Sequence, residues 1–267
     1  MKAGFKDFAR IFWACLTFLS IVPNPRQEPL TPGEFGRFPA LYPLVGLVFG
    51  LDMFIMWHLA SLILPARASA LLVVILLTVS SRAFHVDGLA DAADALFSHK
   101  SREEKLTIMK DSRQGTFGVL AIVLDMVLKW ELVTIIGPAA PWALILWPVW
   151  GRLAASVVAV ESVYVGSDHG LGRWMVEESG PRELFHAGLW TLVLSLVLGC
   201  IGGAFGAGAA VMCGLAALFL GFLLTWVWRL TLGGVTGDLL GASIELTEIA
   251  AAILFYIFMT MQDGFKI

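Results

Sequence analysis

Charge is scarce in this chain. Asp, Glu, Lys and Arg make up 15% of its 267 residues, while 58% are hydrophobic. Soluble domains carry about 25% charged residues. A soluble globule of this length must turn much of its surface to water, so so apolar a composition excludes one and points to a bilayer. A basic excess is also missing. The net charge is −3, which gives no footing for nucleic acid. Cysteine is rare as well. Cys15, Cys200 and Cys213 stand in apolar surroundings, without a CxxC pair or clustered histidines. This excludes a disulfide framework or a zinc knuckle and leaves three small buried hydrophobes. No cleavable leader is evident, because the apolar stretch 11–22 lacks a small-residue cleavage site and ends in Pro23-Asn24-Pro25.

What the chain has is long apolar runs. A spanning helix needs roughly 20 mostly apolar residues. Such runs lie at 40–64, 68–84, 115–137, 141–161, 185–205, 208–228 and 246–262. The second is short, with room to continue past the membrane as the helix carrying the next motif. The stretch 8–22 is shorter than a span and is followed closely by prolines, so it reads as interfacial or re-entrant. The expected fold is all-α: a polytopic integral membrane helical bundle of about seven transmembrane helices, with residues 1–267 as one membrane-embedded domain.

Basic residues orient it. With the N-terminus inside, thirteen of the eighteen lysines and arginines fall in the inner segments 1–39, 85–114, 162–184 and 229–245. Only Arg67 and Lys266 fall outside, and Arg82, Lys129 and Arg152 lie within or at the edge of spans. This bias predicts a membrane protein with its working face in the cytoplasm. All long polar loops then lie on that face.

The most informative stretch is HVDGLADAAD at 85–94. On a helix Asp87, Asp91 and Asp94 stand at i, i+4 and i+7, one stripe. Like charges so spaced repel, and more so beside a hydrocarbon layer. A cation would offset them, and hard oxygen donors without cysteine favour Mg²⁺ or Mn²⁺ over zinc. His85 points off the stripe and reads as structural or interfacial. A second stretch, GGVTGDLLGASIE at 233–245, repeats the seven-residue carboxylate spacing with Asp238 and Glu245. Its bland alternative is a polar loop and a helix start. Between them, MKDSRQGTFG at 109–118 offers Lys110 and Arg113, either to phosphate oxygens or as a positive-inside flank. Asp125 and Lys129, an i, i+4 pair inside an apolar span, neutralise each other most simply. Asp52, Glu131 and Arg152 are further charges at membrane depth.

Taken in order, HVDGLADAADAL, IMKDSRQGTFG and GGVTGDLLGASIE resemble the cobalamin synthase family, also called adenosylcobinamide-GDP ribazoletransferase. The likeness extends to FLSIVPNP near the N-terminus and to YPLVGLVFG at 42–50, so it covers most of the chain. Ala95 departs from an expected glycine, and Ser20 and Ile21 replace an expected threonine and arginine. The resemblance implies a reaction. A ribose hydroxyl of α-ribazole or its 5′-phosphate attacks the phosphate attached to cobinamide, GMP leaves, and Mg²⁺ assists. Read with that reaction, the carboxylate stripe offers Asp87, Asp91 and Asp94 as metal ligands. Asp238 and Glu245 would complete a second metal position or orient the hydroxyl. Asp94 or Glu245 would act as catalytic base, and Lys110, Arg113, Thr236 and Gly237 would bind substrate. The partners implied are the two substrates and the lipid bilayer. Two other readings compete. A CDP-alcohol phosphotransferase would need DGxxAR and a downstream GxxxDxxxD, which are missing. A transporter would place its acidic motifs near midplane on broken helices, not at span ends on one side.

Overall fold

The computed structural model describes residues 2–24, 29–111, 113–166 and 170–262, with side chains from residue 6 onward. Among them the chain is helical apart from one isolated parallel bridge between Tyr164 and Val235. The helices are α1 (Lys2–Leu19), α2 (Pro32–Phe35), α3 (Phe38–Ser61), α4 (Ala66–Ser80), α5 (Phe84–Phe97), α6 (Arg102–Ile108), α7 (Thr116–Ala139), α8 (Ala143–Glu161), α9 (Leu171–Glu177), α10 (Pro181–Gly199), α11 (Gly203–Leu232) and α12 (Gly237–Gln262).

Helix α8 is the axis. From Ala143 to Ala159 all its residues are buried, Arg152 and Ser156 among them, as the central helix of a bundle requires. Its neighbours approach through glycines. A side chain at Gly50 of α3 would strike the Ile145 carbonyl, and one at Gly46 would meet the Pro148 carbonyl oxygen at 2.6 Å. Gly221 of α11 lies against Val157 and Ala154 in the same way. Small residues let backbones close together where lipid supplies no hydrophobic drive. The outer faces are apolar too. Leu51 and Ile55, Leu120 and Leu124, Leu192 and Leu196, and Leu215 and Phe219 are all exposed. An apolar surface of that extent belongs in hydrocarbon.

Each of the seven apolar runs lies on a helix: α3, α4, α7, α8, α10, α11 and α12 in turn. By length and composition, four helical runs can cross a membrane, or five if a bent pair counts as one span. Two features separate that count from seven. Helix α7 carries Asp125, Lys129 and Glu131. The run Pro181–Leu232 is continuous in length and composition but folds back on itself: Gly199 packs on the Gly206 carbonyl and Ala207, and Gly214 faces Ser195 and Thr191. Helices α10 and α11 therefore run antiparallel. The run at 68–84 does not extend into the motif helix. Arg82 and Ala83 take left-handed angles (φ 57 and 55), and α5 departs from α4 at 85°. Residues 8–19 of the 8–22 stretch belong to a helix that starts earlier, α1, with Ile11, Cys15 and Leu19 buried against the core, and residues 20–22 lie beyond its end. The second motif opens the same helix as the last apolar run, because α12 begins at Gly237.

The bundle has two unlike ends. At one, α3–α4, α7–α8 and α10–α11 are joined by short turns, with Trp142 packed on Gly202 and Phe255. At the other, Phe18 meets Phe38 and Phe84, and Ile21 N–H donates to the Ser80 carbonyl at 2.8 Å. All three motifs gather at this second end.

Candidate functional site

Helix α5 turns across the ends of α7 and α12, and glycine sets how closely. A Cβ at Gly88 would collide with the Asp238 backbone carbonyl, and one at Gly241 would lie 3.0 Å from His85 Cα. The first turns of α12 thus lie directly on the aspartate helix. A parallel bridge anchors the turn before them: Val235 N–H donates to the Val163 carbonyl (2.8 Å) and Val165 N–H to the Val235 carbonyl (2.9 Å). Thr236 closes the start of α12, its Oγ1 accepting from Leu239 N–H at 3.3 Å and donating to Asp238 Oδ2 at 3.3 Å.

The aspartate stripe divides by task. Asp94 caps α7: its carboxylate accepts the N–H groups of Gly115 (2.6 Å) and Gly118 (2.9 Å), two donors a helix start leaves unmet. A Cβ on either glycine would press on the carboxylate and displace it from this cap. Asp91 is half-buried and accepts from Gln114 Nε2 at 3.2 Å. Burial first, and then the charges of Asp87, Asp238 and Asp94, push its carboxyl up to about 6. Asp87 is exposed and Asp238 half-buried. The crossing of α5 and α12 therefore holds carboxylates that repel one another, with no Lys or Arg paired to Asp87, Asp91 or Asp238 among the described residues.

Among the described residues no three His, Cys, Asp or Glu side chains converge as a ready-made metal cage. Mg²⁺ does not demand one. It keeps several waters and is bound through one or two carboxylates together with substrate phosphates. An all-oxygen donor set, with a carboxyl raised by burial and then by its acidic neighbours, fits that ion.

Glu245 belongs elsewhere. Two turns down α12 from Asp238, it is buried and paired with Lys129 of α7. Lys129 also reaches Glu248 (3.0 Å) and Asp125 (3.5 Å). Arg152 of α8 pairs with Glu248 at 2.8 Å and lies over the Phe49 ring at 4.4 Å. Asp125 and Lys129 do meet, as their spacing predicted, but as part of a five-residue network tying α7, α8 and α12. Arg113 turns to its own loop, where its exposed guanidinium pairs with Asp111 at 2.6 Å.

Lys110, Thr236, Gly237 and Asp238 border a cavity of about 550 Å³ that runs inward between α1, α3, α5, α9 and α12. Its deeper wall is apolar, formed by Phe18, Tyr42, Phe84, Met175 and Ile244, with His85 set among them. Residues that sequence reasoning missed are Gln114, the Glu248–Arg152 pair and the α9 wall. Glu248, one turn beyond Glu245, was the signal available for the network.

A family model described as cobalamin-5-phosphate synthase matches residues 11–256. Relatives named adenosylcobinamide-GDP ribazoletransferase include one from Pseudomonas entomophila, 40% identical, covering 91% of this chain and 96% of its own. One from Syntrophobacter fumaroxidans is 36% identical over 91% and 98%. One from Acetivibrio thermocellus is 33% identical over 90% and 95%. No solved structure matches. With the three motifs converging at one end of the bundle and a family match over nearly the whole length, the chain is an enzyme of cobalamin biosynthesis and belongs to the cobalamin-5-phosphate synthase family.

Proposed function

We propose that the chain joins α-ribazole or α-ribazole 5′-phosphate to adenosylcobinamide-GDP and releases GMP, at the end of a seven-span bundle that faces the cytoplasm. The observation that carries this reading is the crossing of α5 and α12 at Gly88 and Asp238, which brings Asp87 and Asp91 within reach of the charge of Asp238, itself on the edge of a cavity bordered by Lys110. The positive-inside bias supports the sidedness, and the exposed apolar faces support the bilayer.

In this reading the ribose hydroxyl oxygen bonds to the cobinamide-side phosphorus, and the bond from that phosphorus to the bridging oxygen breaks. GMP departs with the bridging oxygen. The hydroxyl proton goes to a carboxylate of the cluster, for which Asp94, half-buried at its edge, is the candidate. Asp87, Asp91 and Asp238 would hold Mg²⁺, which offsets phosphate charge as the diphosphate is cleaved. Lys110, Thr236 and Gly237 would bind substrate at the cavity mouth. Arg113, held by Asp111, would reach phosphate only after releasing that pair. Glu245, enclosed with Lys129, orients helices in this scheme and does not take the proton.

Purified protein in detergent, given Mg²⁺, adenosylcobinamide-GDP and α-ribazole 5′-phosphate, is expected to release GMP and form the joined corrinoid in equal amounts. Absence of GMP with both substrates present would overturn the reading.

A further inference from the structure

The reaction proposed above brings two nucleoside-bearing substrates to one cavity, and the cavity's walls discriminate between them. A pocket of about 550 Å³ is in the range that holds a drug-sized ligand. It has no room for a corrin macrocycle with its amide side chains. The deep wall is apolar and partly fixed, since Tyr42 Oη donates to Met175 Sδ at 3.1 Å. Guanine buried there could at most give one N–H to His85 and would leave its carbonyl and its other N–H groups without partners, a cost that apolar surroundings do not return. The acceptor's base is a fused aromatic with a single free ring nitrogen, and it loses little by entering.

A second observation concerns the ribose. His85 is 2% exposed and lines the cavity, and its Nε2 has no hydrogen-bond partner. Its other nitrogen, Nδ1, faces Glu245 Oε1 at 3.9 Å. A carboxylate on that side favours the ring proton at Nδ1, which leaves Nε2 as a bare acceptor. A bare acceptor needs an O–H or N–H donor. The apolar base has none, whereas its ribose has hydroxyls. At the mouth, the Lys110 ammonium has no ion pair or hydrogen bond among the described residues and stands ready for a phosphate.

We propose, on the strength of the functional reading above, that this cavity is the acceptor subsite: it takes the apolar-base nucleoside, with a ribose hydroxyl donating to His85 Nε2 and the 5′-phosphate at Lys110, while the guanosine diphosphate arm of the corrinoid stays outside it. His85 is then a substrate-positioning residue that also separates this acceptor from guanine nucleotides.

Two measurements on the full chain test this. In steady-state assays, His85→Leu is expected to raise KM for α-ribazole 5′-phosphate about tenfold or more, as loss of one buried hydrogen bond does. KM for adenosylcobinamide-GDP is expected to stay within about twofold. His85→Gln, whose amide oxygen again offers an acceptor, is expected to recover part of the loss. A rise in KM for the corrinoid substrate instead, or no change in either, overturns the assignment. The second measurement tolerates a misfolded His85 variant. Leu171, 42% exposed at the cavity rim, is replaced by Cys in a Cys200→Ser background and treated with a maleimide. α-Ribazole 5′-phosphate is expected to slow its labelling, and GDP is not. Protection by GDP, or by neither, refutes the subsite. If the unsubstituted enzyme releases no GMP with both substrates, the functional reading itself has failed, which is a separate result.

Discussion

At the scale of single residues, the carboxylates sort by what surrounds them. Asp87, Asp91, Asp94, Asp238 and Glu245 look alike in sequence: Asp87 and Asp94 repeat the seven-residue spacing of Asp238 and Glu245, with Asp91 between the first two. Their partners differ. Asp94 faces the open N–H groups of α7, Asp91 faces Gln114 and other acids, and Glu245 faces a buried ammonium. Spacing shows which side chains share a face of their own helix. It does not show which helix packs there, so Glu245's place with Lys129 was not legible before the structure. The consequence is testable. Lys129→Met leaves Glu245 and Glu248 buried without their shared cation and is expected to destabilise the protein by about 3–5 kcal/mol, measured by denaturant unfolding in detergent. Adding Glu245→Gln should return part of that loss, and strict additivity of the two changes would argue against direct coupling.

Elements carry the next level of the account. The apolar runs were legible because a bilayer imposes length and composition on every span, and each run lies on a helix. The break between α4 and α5 was not legible. Ser81-Arg82-Ala83-Phe84 holds neither glycine nor proline, and two left-handed residues are placed there by tertiary contacts. Arg82 donates to the Thr17 carbonyl at 3.4 Å and Phe84 packs edge-on against Phe18. The start of α7 depends on another helix in the same way. Asp94→Ala removes two acceptors from its first turn and is expected to cost about 1–2 kcal/mol. Hydrogen exchange at residues 115–119 should quicken, while exchange in the α8 core stays slow. Close packing gives a further expectation. Gly50→Leu would drive α3 away from the Ile145 carbonyl, so it should lower the unfolding temperature more than Leu51→Ala on the exposed face, as a thermal scan of both variants would show.

The whole molecule has a polarity that its termini of helices make plain. Short turns lie at one end, while the motifs, the cavity and the longer connections lie at the other. The chain supplies its own probe of this arrangement. Cys15 and Cys213 are buried, whereas Cys200 is exposed in the α10–α11 turn. If the motif end faces the cytoplasm, a membrane-impermeant maleimide should label Cys200 from outside in spheroplasts. Labelling only after lysis would reverse the orientation and with it the side on which substrates must arrive.

The central claim is that the crossing of α5 and α12 is an oxygen-ligand metal site for cleaving a diphosphate. Asp91 is half-buried beside it, feels the charges of Asp87 and Asp238, and is not committed to a helix cap as Asp94 is. The most direct measurement is GMP release by Asp91→Asn against the unsubstituted enzyme across a Mg²⁺ titration, at matched protein levels and with both substrates saturating. The account predicts a rate lower by about 100-fold or more at limiting Mg²⁺, with the activation midpoint moved to higher metal. Near-normal release at limiting Mg²⁺ would contradict it.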